Sequence, residues 1–290
     1  MSAHPSSPAR SESALAAIAA RLRAAGCVFA EDEADLLISA AATPDELQAM
    51  VDRRAAGLPL EHVVGWADFC GLRITVAPGV FVPRRRSEFL VAQAAELARP
   101  GQGSAPPPDP GRGGPTVILD LCCGSGAIGM AVAAALSKTV EVELHAVDLD
   151  PAAAACASAN LGKAGGYAYE GDLCQPLPAR LRGFVDLMIA NAPYVPTAEI
   201  GLLPAEARLY EPLIALDGGA DGVDLHRRIA AAAPAWLAPG GKLLIETSQR
   251  QAPLTMAAIT AAGLVPQLAS SDEFRVTVVI GSRPSPGATD

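Results

Sequence analysis

The spacing of hydrophobic positions changes along the chain, and each change marks a boundary. Between residues 12 and 64, Leu15, Ile18 and Leu22 recur at helical spacing before Gly26, and Leu37 and Ile38 lie in a second helical stretch opened by the acidic run Glu31, Asp32 and Glu33. A third helix starts at Thr43, Pro44 and Glu46, where the threonine hydroxyl and the glutamate carboxylate can each satisfy a free backbone N–H. Leu47, Met50 and Val51 then form its buried stripe up to Gly57. The pattern predicts a three-helix N-terminal domain over 12–64. Over 65–84 the period falls to two: Leu72, Ile74 and Val76 alternate with polar or small residues, Pro78-Gly79 turns, and Val80-Phe81-Val82 runs back. This predicts a linking β-hairpin.

A helical stretch from residue 88 to about 99 leads into GQGSAPPPDPGRGG, residues 101–114, too rich in Gly and Pro to pack and read as a flexible loop. After it, short apolar runs alternate with Ala-rich helical ones: TVILDLC, AIGMAVAAAL, VELHAVD, PAAAACASANL, YAYEGD and VDLMIAN, then a helix near 222–236, KLLIET, and a helix near 252–262. Such alternation predicts an α/β fold whose parallel sheet is covered on both faces. The final pair, VPQLAS and RVTVVI, has no helix between its members, so the sheet is expected to end in an antiparallel edge. The main domain is predicted over 85–283, with tails at 1–11, Ser- and Pro-rich and expected to be disordered, and at 284–290.

Composition narrows the function classes. With 290 residues, 50% hydrophobic and 18% charged, the chain can bury a sizeable core. A net charge of −9 speaks against stable binding to nucleic acid. No run approaches the ~18 apolar residues of a membrane span, and the first residues lack the apolar core of a secretory signal, so no membrane role and a cytoplasmic location are expected. Six cysteines without CxxC spacing read as reduced packing residues, and four scattered histidines predict no metal site.

Candidate chemistry begins at Gly124-Ser125-Gly126-Ala127-Ile128-Gly129, a GxGxxG run between a predicted strand and helix, with Asp148 ending the next strand. Glycines there let the backbone approach an adenosine cofactor, and the acid can accept hydrogen bonds from ribose hydroxyls. Dinucleotides and S-adenosylmethionine both bind at such a turn. The carboxylate of Asp120, at the end of the first strand, favours the cationic S-adenosylmethionine over a pyrophosphate. Vicinal Cys122 and Cys123 are read as small packing residues in the turn. Asp172 and Leu173 close the third strand, where an acid can accept an adenine amino group and an apolar side chain can cover the ring.

Strand VDLMIA runs into Asn191-Ala192-Pro193-Tyr194. The Asn191 side-chain oxygen and the Ala192 carbonyl can accept both N–H bonds of a planar NH2 group, and the Tyr194 ring can lie against its face. A primary amide and an aryl amine both meet that description. Each is a poor nucleophile whose nitrogen gains positive charge as a methyl group arrives, which these acceptors would stabilise.

The residues from about 59 to 279 resemble the HemK/PrmC family of protein glutamine methyltransferases. The likeness rests on PLEHVVGWADFCGLRITVAPGVFVPR, DLCCGSGAIG, VDLDP, GDL, NAPYVPTAEI and, most specifically, EARLYEPLIALDGGADG over residues 206–222. The resemblance implies a class I S-adenosylmethionine-dependent methyltransferase fold, Rossmann-like with seven strands, behind a helical domain that docks its protein partner. It implies methylation of the side-chain amide of the glutamine in the Gly-Gly-Gln loop of a peptide-chain release factor, leaving S-adenosylhomocysteine. Cofactor contacts then fall on Cys122, Cys123, Gly124, Ser125, Gly126, Asp148, Asp172, Leu173 and Asn191. Substrate contacts fall on Asn191, Ala192, Pro193 and Tyr194, with Arg84 and Glu88 also on the acceptor side, and Asn191, Pro193 and Tyr194 are the expected catalytic set. A monomer is expected. The chain departs from the family at Ala192, where Asn-Pro-Pro-Tyr has proline, and over residues 83–88, PRRRSE in place of PRPETE. A nucleic-acid exocyclic amine as acceptor, or a cofactor-binding module without activity, remain the alternatives.

Overall fold

The computed structural model describes residues 12–98 and 114–285. The reading of residues 1–11 and 286–290 as tails, and nearly all of the 101–114 loop, lie outside that range. Among the described residues no helix is long and apolar enough to cross a membrane.

Helices α1 (Glu12–Ala24), α2 (Ala30–Ala40) and α3 (Pro44–Ala55) form where the apolar spacing places them. The α3 cap is made: Thr43 Oγ1 accepts from the Glu46 N–H at 3.1 Å, and Glu46 Oε2 from the Ala42 N–H at 2.7 Å. A fourth helix, α4 (Leu60–Val64), adds Val63 to their common cluster around Leu22, Leu37 and Met50. At five residues it is too short to show a period, so the prediction of three helices misses it.

The linking hairpin is paired differently from the prediction. Its strands are β1 (Trp66–Phe69) and β2 (Leu72–Thr75), antiparallel, with Phe69 opposite Leu72. Cys70 and Gly71 take positive φ of 50° and 74°, the two-residue turn that matches strand twist, so β2 folds back on the segment before it. The segment Val80-Phe81-Val82 belongs to no strand. Side chains take the place of a ladder there: His62 Nε2 lies 2.8 Å from the Val80 carbonyl, and the Val82 N–H donates to Glu211 at 3.4 Å.

The main sheet has seven strands in the order β5-β4-β3-β6-β7-β9-β8. After α5 (Glu88–Leu97) these run as β3 (Thr116–Leu121), α6 (Ala127–Leu136), β4 (Val142–Asp148), α7 (Pro151–Leu161), β5 (Tyr167–Glu170) and β6 (Val185–Ala190). A short α8 (Ala205–Tyr210) precedes α9 (Asp224–Trp236), β7 (Leu237–Thr247), α10 (Ala252–Ala261), β8 (Val265–Ser271) and β9 (Val276–Ser282). Strands β3 to β7 pair in parallel, while β9 is antiparallel to both β7 and β8, giving the expected edge.

Strand β3 shows how the sequence builds two layers. Val117, Leu119 and Leu121 point to the face covered by Ile229, Ala233 and Trp236 of α9, and Ile118 points to the face covered by α5, α6 and α7. On the second face α6 lies close to the sheet. A methyl group at Gly129 would come within 2.9 Å of Leu144 and 3.0 Å of Asp120 Oδ2, so the third glycine of the run serves helix packing. The strand order reverses at β3, with β4 and β5 laid down on one side and β6 and β7 on the other. Loops leaving these strands therefore open a crevice at their carboxyl ends, where ligands of such sheets bind.

Candidate active site

One cavity, of roughly 1180 Å³ counting its open mouth, fills this crevice. The β3–α6 turn, the ends of β4 and β5, and the Asn191–Tyr194 turn all contribute to its wall. Cys122, Cys123, Gly124, Ser125, Asp148, Asp172 and Leu173 line it, as do Asn191, Ala192, Pro193, Tyr194 and Arg84. Of the predicted site residues, Asp120, Gly126 and Glu88 do not.

Asp120 is fully buried on the α6 face of the sheet, where its Oδ2 accepts the Gly129 N–H at 2.8 Å. Burial, the largest influence, pushes its carboxyl up to about 7. It holds α6 against β3 and presents no carboxylate to the cavity. Glu88 opens α5 and accepts from the Cys70 N–H at 3.4 Å, a contact to the hairpin turn. Gly126 sits behind the wall against Leu161 of α7.

Asp148 organises the side of the cavity formed by the Gly124 turn and the end of β4. Its Oδ2 accepts the Gly124 N–H at 2.8 Å and its Oδ1 the Asp150 N–H at 2.9 Å, tying the β3–α6 turn to the end of β4. Burial raises its pKa, opposed by those backbone donors. An ionised carboxylate has about four acceptor positions, so room remains for a hydroxyl group beside the Gly124, Leu149 and Asp150 donors. Asp172 is held by Arg228 of α9, whose Nη2 lies 2.8 and 2.6 Å from its two oxygens. Beside it Leu173, at φ 50°, presents an apolar face with Leu225. The thiols of Cys122 and Cys123 are pushed well above their usual range, by burial first and then by neighbouring acids, so they stay protonated and take no nucleophilic part.

On the acceptor side, the Asn191 Nδ2 donates to Ser87 Oγ at 3.2 Å. Ala192 is buried at the cavity wall. The Tyr194 ring lies under the Arg86 guanidinium, 5.7 Å from its centroid. Burial pushes the Tyr194 hydroxyl up to about 12, so it remains neutral. The Tyr194 carbonyl accepts from Gln251 Nε2 at 2.7 Å, and Gln251 also donates to the Asp221 carbonyl at 3.0 Å. A side chain at Gly218 would come within 2.6 Å of the Tyr194 Cα, and one at Gly222 would overlap its carbonyl. The glycines of DGGADG thus let residues 216–222 close over the Tyr194 backbone. Arg84 is paired with Glu211, whose carboxylate is nearly fully buried. That pair fastens the segment after β2 to the stretch between β6 and α9.

Several residues of the site escape a reading of the sequence. Phe81, Arg86 and Ser87 line the cavity; they lie in stretches that carry the family resemblance, but the sequence assigns them no site role. Glu246, fully buried near the end of β7, has a visible signal: a carboxylate inside the apolar run KLLIET. Gln251 has none.

Residues 113–204 match the family described as Methyltransferase small domain. The chain is 36% identical over 245 residues to the release factor glutamine methyltransferase of Geobacter sulfurreducens, covering 83% of this chain and 79% of that one. It is 34% identical over 276 residues to the protein of the same name from Bradyrhizobium diazoefficiens, covering 88% of each. Among solved structures, a methyltransferase from Pyrococcus furiosus superposes with a TM-score of 0.50 at 15% identity, over 82% of this chain and 98% of that one, which supports the class I methyltransferase fold.

Proposed function

This chain belongs to the release factor glutamine methyltransferase family, and we propose that it moves a methyl group from S-adenosylmethionine to the side-chain amide nitrogen of the glutamine in a release factor's Gly-Gly-Gln loop. The observation that carries this reading is the single cavity shared by the Gly124 turn and the Asn191–Tyr194 turn, which sets a nucleoside-sized pocket beside acceptors for a planar NH2 group. The acidic balance of the chain supports a protein acceptor over a nucleic acid.

The cavity residues fit the cofactor. Asp148 would offer a remaining acceptor position to the ribose hydroxyls, Leu173 would cover the base, and Asp172 would accept from its exocyclic amine. The bound cofactor supplies a methyl group on a positively charged sulfur. Asn191 Oδ1 and the Ala192 carbonyl accept the two N–H bonds of the glutamine amide, and the Tyr194 ring fixes its plane. On taking the methyl group, with the S–C bonding pair leaving on the neutral sulfide product, the amide nitrogen would gain positive charge. The two carbonyl-type oxygens oppose that charge, and the nitrogen then gives one proton to water. Alignment of nitrogen, carbon and sulfur can supply roughly 7 to 11 kcal/mol of the barrier in favourable cases.

Mass spectrometry of the Gly-Gly-Gln peptide, after incubation of the host's release factor with this protein and S-adenosylmethionine, tests the proposal. A gain of one methyl on that glutamine is expected. An unmodified glutamine, in a preparation that binds the cofactor, would overturn the choice of acceptor.

A further inference from the structure

Behind Asn191 lies a polar chain that nothing in the reaction itself requires. Ser87 is fully buried at the start of α5, and its Oγ accepts from Asn191 Nδ2 at 3.2 Å. Its hydroxyl faces Glu246, fully buried on β7, and together with Arg86 favours that carboxylate's ionised form against the burial that raises its pKa. Arg86 Nε approaches Glu246 Oε1 at 3.3 Å, while Oε2 is buried with no hydrogen-bond partner. A buried carboxylate with one oxygen unsatisfied is costly.

A rule of donors and acceptors gives the chain a direction. The Arg86 guanidinium holds Glu246 in its ionised form, and an ionised carboxylate can only accept, so Ser87 directs its one O–H to Glu246. The Ser87 oxygen is then left as an acceptor and can be met only by the NH2 end of Asn191. The Asn191 amide is thereby fixed with Nδ2 toward Ser87 and Oδ1 turned the other way. Without that constraint the two ends of an asparagine amide are nearly equal in shape, and the flipped form would offer donors to a substrate NH2 that itself only donates. Arg86 contributes by keeping a positive charge beside Glu246, and the same guanidinium covers the Tyr194 ring.

We propose that Ser87 and Glu246 are positioning residues that set which end of the Asn191 amide faces the methyl acceptor. Polarity runs one way along the relay, from Asn191 through Ser87 to Glu246, and this leaves Asn191 Oδ1 more negative at the place where the acceptor nitrogen gains charge. The inference rests on the role given to Asn191 above, but its first test does not depend on the identity of the acceptor.

That test is nuclear magnetic resonance of the Asn191 side-chain NH2 in selectively labelled full-length protein, assigned by its loss in Asn191→Ala. One of its two protons should be shifted and protected from exchange. Both signatures should disappear in Ser87→Ala and weaken in Glu246→Gln, whose amide can donate as well as accept. The second test is single-turnover methylation at saturating cofactor. Ser87→Ala is expected to lower the rate by about ten- to a hundredfold with cofactor affinity held within about twofold. Glu246→Gln should fall between it and the native protein, and Ser87→Thr, which retains the hydroxyl, should recover most of the rate. Neither Ser87→Ala nor Glu246→Gln should add to the loss in an Asn191→Ala background. Thermal unfolding of each variant separates this from a folding defect. Unchanged Asn191 NH2 signals in folded Ser87→Ala would overturn the relay whatever the acceptor is. An inactive native protein with the predicted signals would overturn the acceptor and leave the relay standing. Additive losses in the Asn191→Ala background would show that Ser87 acts by another route.

Discussion

Replacing Asn160 with alanine should cost more than any comparable change on the surface of α7. Its side chain, in a residue 2% exposed, joins three parts of the molecule. Asn160 Nδ2 donates to the Thr75 carbonyl at 2.8 Å and to the Ser125 carbonyl at 2.9 Å, and Oδ1 accepts the Thr75 N–H at 3.1 Å. Thr75 ends β2 at an exposed position, so water can replace its lost partners, and Cys156 Sγ still reaches its carbonyl at 3.3 Å. Losing those two bonds should cost about 1 kcal/mol each or less. The Ser125 carbonyl belongs to a residue only 2% exposed in the cofactor turn, and leaving it unpaired should cost a further 1 to 3 kcal/mol or so. Asn160→Ala is therefore expected to lower stability by about 3 kcal/mol. Urea unfolding should show this as a lower midpoint at unchanged slope. Calorimetric titration should also show weaker cofactor binding, because Ser125 lines the cavity. Asn160→Asp, close in size, loses both donors and sets a negative charge beside two carbonyl oxygens, so it should be at least as damaging. A loss under about 1 kcal/mol in both variants, with cofactor binding intact, would refute the reasoning.

Other outcomes follow from the packing around the cavity. Gly129→Ala drives a methyl into Leu144 and Asp120 and should cost roughly 1 to 3 kcal/mol by thermal or chemical unfolding. Arg84→Ala strands the buried Glu211 carboxylate; a loss of about 3 kcal/mol, or an equivalent loosening of residues 205–216 seen by hydrogen exchange, is expected, and Arg84→Ala with Glu211→Gln should restore much of it. His226, fully buried with Nδ1 2.9 Å from Thr255 Oγ1, is lowered from 6.5 to about 4, chiefly by burial. The folded state binds its proton less well than the unfolded state, so this contribution to stability is whole above pH 6.5 and is lost as pH falls toward 4, by roughly 3 kcal/mol at most. His226→Gln should flatten the stability profile in that window; equal slopes for variant and native protein would exclude the assignment.

The run from β3 to α7 was legible because several signals agree there: strand, glycine turn, Ala-rich helix and strand-end acid all imply the same layered crevice. The predicted helix AIGMAVAAAL and strand VELHAVD match α6 and β4 residue for residue. The hairpin was harder. Leu72, Ile74 and Val76 mark a strand from either side, but its partner was chosen by the Cys70-Gly71 turn, and the equally apolar Val80–Val82 segment had its polar atoms taken by His62 and Glu211. Asp120 stands at the expected strand end, yet the alternation of β3 sends its side chain to the α6 face, away from the crevice. The stretch 197–215 mixes short helical turns that are too brief for a period. Ser87, Asn160 and Gln251 act through partners far away in the chain, which no local pattern can announce.

Closure of residues 216–222 over the Tyr194 backbone has a consequence for portability. Gly218 and Gly222 meet Tyr194 inside one uninterrupted length of chain, and Val195 pairs with Asp217 in an isolated parallel bridge within it. Residues 191–222 thus carry many of their own fitting surfaces, and they reach the rest of the molecule through Gln251, Ser87, Arg84, Arg250, Arg54 and the Ala56 carbonyl. A methyltransferase of this build could be given a new acceptor by exchanging that cassette as a unit with those anchors retained, the Gly124 turn and the end of β4 left untouched.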